Sequence, residues 1–186
     1  MDVLRTAIDA AKKNNIPTIV VASTTGNTAL KLFELVNTVR NISMGYSENM
    51  ISNGVKTEKL RMIVVTHDEG RSLIERRFDD NIRNKLLSHN ITVYTHNPRL
   101  ILLRKIISKI LGRFGFPCWH KHLKEIRLKY GTGIKVCHII VQMLIEGKVI
   151  RDDKVVAIAG TKSGADSVGI FLVKPKNKWP ILQEVI

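Results

Sequence analysis

The chain has 186 residues, of which 30 are Lys or Arg and 16 are Asp or Glu, for a formal net charge of +14. A chain of this size buries about 70% of its unfolded surface and folds without disulfide or metal staples, and its two cysteines, Cys118 and Cys137, form no disulfide framework. No charged and then apolar leader opens the sequence, and the longest apolar run, "LILLRKIISKIL", is interrupted by Arg104, Lys105 and Lys109 and is too short to span a bilayer. A single cytoplasmic domain over 1–186 is expected, with no membrane partner.

Helical spacing of Val3, Leu4, Ile8 and Ala11 predicts a first helix over 2–14, stopped by Asn14, Asn15 and Pro17. "TIVVA" (18–22) is short, apolar and β-branched, as in a parallel strand covered on both faces. A helix follows from about 27 to 40. The Asn-, Ser- and Gly-rich stretch 41–59 reads as a loop insertion. "RMIVVT" (61–66) is a second strand, a helix covers about 71–88, and "ITVYT" (91–95) is a third strand. Helical patterns resume at about 98–112, 118–130 and 133–146. "KVVAIAG" and "SVGIFLV" close the series, and the six residues between them are too few for a parallel crossover, so they form an antiparallel hairpin.

Strands alternating with helices predict a three-layer α/β/α domain with a mostly parallel five-stranded sheet, in the order 3-2-1-4-5 with strand 5 antiparallel. In such sheets ligands collect at the carboxyl ends of the strands, where strand order reverses. Four loops are expected there: "STTGNT" (23–28), "THDEG" (66–70), "THNPR" (95–99) and "GTKSGAD" (160–166).

The first of these loops has the makings of an anion cradle. Ser23, Thr24, Thr25 and Thr28 offer hydroxyls, Gly26 removes a Cβ from the approach, and the next helix, opening at Asn27, presents free N–H groups. Alternatively, Asn27 or Thr25 simply caps the helix and the hydroxyls satisfy local backbone groups. In the second glycine-rich loop, Gly160, Thr161, Lys162, Ser163, Gly164 and Asp166 add a cation and further small residues. Neither loop contains a Walker or a G-x-G-x-x-G signature.

"IVVASTTGNTA", "IVVT" and "VVAIAGTKSGADS" together resemble the C-terminal α/β domain of pyruvate kinase, standing alone as in a group of small archaeal proteins. The resemblance covers most of the chain and is strongest at 16–36, 61–70 and 133–171. It implies that the loop from Ser23 to Thr28 grips a phosphate and that the hairpin from Gly160 to Asp166 closes over the same ligand. A phosphorylated metabolite, a nucleotide or flavin mononucleotide (FMN) is the ligand it suggests. It implies no pyruvate kinase activity, because the catalytic barrel of that enzyme has no counterpart here. The sequence departs from the pattern at His138, where an acidic residue is expected, and in the bulky, basic stretch from 95 onward.

Other constellations leave further readings open. Thr66 and His67 stand at a strand end facing the crevice, and His67 is a weak candidate acid or base for a flavin- or phosphometabolite-dependent enzyme. His67, Asp68 and Glu69 would equally hold a metal with Asp79 or Asp80. Cys118, His120 and His122 in "CWHKH" would need a non-helical turn to share one ion, so no metal site is assigned. Cys137 is read as a core residue. The basic block from Arg99 to Lys129, with Trp119 and Tyr130 as stacking candidates, is the alternative nucleic-acid surface. A phosphorylated small molecule is the favoured partner, and homo-oligomerisation stays open.

Overall fold

A computed structural model describes residues 2–47, 60–66, 77–95, 119–151, 153–160, 164–174, 177 and 179–186, with backbone only for 39–47. Its elements run α1 (Val3–Lys13), β1 (Thr18–Ala22), α2 (Asn27–Ser47), β2 (Arg61–Thr66), α3 (Asp80–Ser88), β3 (Thr92–Thr95), α4 (Trp119–Glu146), β4 (Lys154–Ala159), β5 (Ser167–Leu172) and β6 (Ile181–Val185). They build one mixed sheet in the order β3-β2-β1-β4-β5-β6. The pairs β1–β2, β2–β3 and β1–β4 are parallel, while β4–β5 and β5–β6 are antiparallel.

The apolar strands are buried because each of their two faces meets a different helical layer. On one face Ile19, Val21, Met62, Val64, Val156, Ile158, Val168 and Ile170 pack with Leu4 and Ile8 of α1, Leu32 and Phe33 of α2, and Leu86 of α3. On the other, Val20, Ile63, Val65, Val155, Ala157 and Phe171 pack with Cys137, Ile140, Val141 and Leu144 of α4. Successive residues of a strand point to opposite faces, so an unbroken apolar run feeds both cores at once.

Local signals set the helix ends. The Asp2 carboxylate accepts a hydrogen bond from Leu4 N–H and starts α1, and Lys12 and Lys13 occupy its last turn, where cations complement the helix dipole. The Asp79 carboxylate does the same for α3, accepting from Asn81 N–H and Ile82 N–H.

Three expectations need revision. The sheet has a sixth strand, β6, beyond the five predicted. Residues 41–47, expected as the start of a loop, continue α2 to Ser47, and 48–59 lie outside the described residues. The helix expected over about 71–88 begins, in its described part, only at Asp80, because 77–79 are non-helical and Asp79 is the cap. The two helices expected at 118–130 and 133–146 are described from Trp119 and are divided at Gly131, whose φ of 88° and ψ of 178° break the helical path of α4. The predicted helix at 98–112 lies outside the described residues. Among those residues, no helix is long and apolar enough to cross a membrane.

Candidate functional site

The elbow after β1 is organised by Ser23. Its backbone N–H donates to Val65 O (3.0 Å), carrying the sheet one residue past the strand. Its buried Oγ accepts from Gly26 N–H (3.1 Å) and from Ala29 N–H (3.4 Å), so one hydroxyl oxygen satisfies two donors of the first turn of α2. The N–H groups between them, of Asn27 and Thr28, have no partner among the described residues. Thr24 and Asn27 are exposed, and Thr25 and Thr28 are half-buried. Ser23 is therefore the local cap that shapes the turn, and the donors left over are the two outer N–H groups.

Gly26 answers to a second requirement. Its φ is +101°, and a Cβ built there would lie 3.0 Å from Ile82 Cγ2. The close approach seen in the structure is thus that of α3, which is also tied to the elbow by Asp79 N–H donating to Thr25 O (3.1 Å).

The parallel register Thr18↔Val155 to Val21↔Ile158 brings the second loop beside the first. β1 and β4 are sheet neighbours running the same way, so the elbow from Ser23 and the turn from Gly160 leave the same edge of the sheet at adjacent positions. Gly160 is pressed against the Gly164 carbonyl, with no room for a Cβ. Asp166 N–H closes the turn onto Ala159 O (3.0 Å), and Ser167 Oγ donates to Asp166 Oδ1 (2.7 Å). Thr161, Lys162 and Ser163 lie outside the described residues, as does His67. Thr66 is buried at the end of β2, one strand away from β4 across β1. Of the proposed metal partners, Asp79 has its carboxylate engaged as the α3 cap and Asp80 pairs loosely with Arg83 (3.9 Å), while Asp68 and Glu69 lie outside the described residues.

A cluster that sequence reasoning missed sits on the other face, against α4, β5 and β6. His122 Nε2 and His138 Nε2 are 3.1 Å apart, across the Gly131 break. Trp179 stacks on His122 with centroids 4.4 Å apart, Trp119 lies edge-on to His138 at 5.5 Å, and Phe171 supports His138 from the sheet at 5.4 Å. His138 is buried, and burial holds the half-buried His122 below the ordinary imidazole pKa, the charge of Glu125 opposing that shift. An open cleft of about 470 Å³ adjoins the pair, lined by His122, Ile126, Tyr130, His138, Asn177 and Trp179 among others. In the sequence His122 stood out in "CWHKH" and His138 inside the apolar "VCHII", but nothing joined the two, because a separation of sixteen residues has no helical meaning.

Two further expectations meet the structure here. Trp119 is buried, which removes it as a stacking platform for nucleic acid, whereas Tyr130 is exposed. Cys137 is fully buried as read, with Sγ 3.4 Å from Ala157 O. Burial, reinforced by the charge of Asp166, pushes its thiol up to about 12. No known family model matches the chain.

Proposed function

We propose that the chain is a binding module of the pyruvate kinase C-terminal domain type, whose crevice between the β1 elbow and the β4–β5 turn takes a phosphorylated metabolite or nucleotide. The observation that carries this reading is the parallel pairing of β1 with β4, which puts two loops rich in glycine and hydroxyls on one edge of the sheet. The N–H groups of Asn27 and Thr28 at the start of α2, which have no partner among the described residues, support it, since a helix amino terminus favours a dianion both by hydrogen bonding and by its dipole. Thr25, Thr28, Lys162 and Ser163 would complete the grip. The described residues form a single α/β sheet with no catalytic barrel, so pyruvate kinase activity is not part of the proposal. Native mass spectrometry, with an absorbance spectrum of freshly purified protein, tests it. A co-purifying phosphate-bearing species is expected, and a flavin spectrum would favour an FMN-dependent enzyme over a pure binding role.

A second reading has one observation in its favour. Lys121, Lys124, Arg127 and Lys129 are all exposed on the first half of α4 beside Tyr130, a cationic and aromatic surface suited to single-stranded nucleic acid.

A further inference from the structure

We propose that His122 and His138 form a two-histidine site for a divalent transition metal ion of the zinc type, open to the adjoining cleft. A metal bound at about 2.05 Å from each nitrogen, with the nitrogens 3.1 Å apart, would have an N–metal–N angle of about 100°, close to tetrahedral, so the rings need hardly move. Two histidines on consecutive turns of one helix commonly converge. These two are sixteen residues apart and meet because the helix breaks at Gly131. Their orientation is held by aromatic neighbours, Trp179 on one face of His122 and Phe171 and Trp119 edge-on to His138. Such packing fixes the ring planes, but it offers no acceptor to the buried Nδ1 of His138.

Without metal, one imidazole donates its Nε2 proton to the other. On binding, that ring changes to its Nδ1–H tautomer, so both Nε2 lone pairs face the ion and no net proton is needed. Both histidines line the cleft, so water or a small donor completes the shell from that side, with the Asn177 amide and the Tyr130 hydroxyl in the same wall. The basic side chains on α4 oppose a cation, and Glu125, whose field reaches His122, offsets part of that charge. The site is separate from the phosphate crevice and does not depend on it.

The test is titration of the full chain, carrying Cys118→Ser to remove the other thiol in the "CWHKH" stretch, with Zn²⁺ by calorimetry and with Co²⁺ by visible absorption at neutral pH. One ion per chain is expected, with the intense bands of four-coordinate Co²⁺ displaced by Zn²⁺. His122→Phe, which keeps a ring on Trp179, should weaken binding at least about tenfold, while His120→Ala, on the exposed side of α4, should leave it unchanged. Should His122→Phe fail to fold, imidazole ¹⁵N spectra of the unmutated histidine pair decide the matter, with Zn²⁺ expected to shift Nε2 of His122 and His138. Absence of binding, binding that survives His122→Phe, or imidazole shifts confined to other histidines would overturn the proposal.

Discussion

Gly26 combines a backbone conformation that other residues rarely adopt with a Cβ position already claimed by Ile82. Gly26→Ala should therefore cost about 1–3 kcal/mol of stability with or without ligand, read as a lower denaturation midpoint at an unchanged denaturant slope. Ser23→Ala should cost about 1 kcal/mol through loss of its cap on Gly26 and Ala29. Thr28→Ala, on a half-buried residue with no structural bond of this kind, should leave the midpoint within about 0.5 kcal/mol; a larger loss would show that Thr28 is a structural cap. The capping role was expected at Asn27 or Thr25 and falls instead to Ser23, because which hydroxyl lies within reach of the first N–H groups depends on the turn and not on residue type. Cys137 was legible as core, since it sits in a continuous apolar helix face. Its thiol is protonated in the fold well past the point where an unfolded thiol ionises. The stability it confers is thus complete below pH about 9 and lost progressively as pH rises from about 9 toward about 12. In a Cys118→Ser background, thiol reagents at pH 8 should label the unfolded chain and spare the folded one.

At the scale of elements, α4 illustrates how a glycine can set an interface. Gly133 lies directly against Ser167 and Asp166 at the start of β5, where an added Cβ would overlap the Ser167 hydroxyl. Gly133→Ala should push α4 off the sheet at that point and cost about 1–3 kcal/mol. A Tm equal to that of the unaltered protein would contradict the packing described. The two halves of α4 were legible as separate helical patterns on either side of Gly131. The histidine pair was not, because it depends on how sharply the path turns at Gly131. β6 escaped notice for a different reason: it is an edge strand, four of its five residues are exposed and the fifth is half-buried, and it lacks the alternation that marks a half-buried strand. The extension of α2 through 41–47 overrode a composition rich in Asn, Ser and Gly, residues whose helix propensities are poor but cost at most about 1 kcal/mol each.

At the scale of the whole molecule, the order of the first five strands followed from few constraints. Short apolar strands needed cover on both faces, a six-residue link forced one antiparallel pair, and adjacency of β1 and β4 was the arrangement that joined two similar loops. A formal charge of +14 says which ligands are attracted without naming one. For nucleic acid, weak binding at low salt that disappears near physiological ionic strength is expected, measured by filter binding to generic RNA and duplex DNA; tight binding that persists there would make the α4 surface the principal one. The central claim is the phosphate crevice, and calorimetric titration with inorganic phosphate, sugar phosphates and FMN tests it most directly. At least one of these is expected to bind the unaltered protein, Thr25→Ala and Thr28→Ala should each weaken binding by about 0.5–3 kcal/mol, and the loss caused by Lys162→Ala should shrink as salt is added. Absence of binding by the unaltered protein, or undiminished binding by all three variants, would contradict it and leave the hydroxyls of the elbow as local caps.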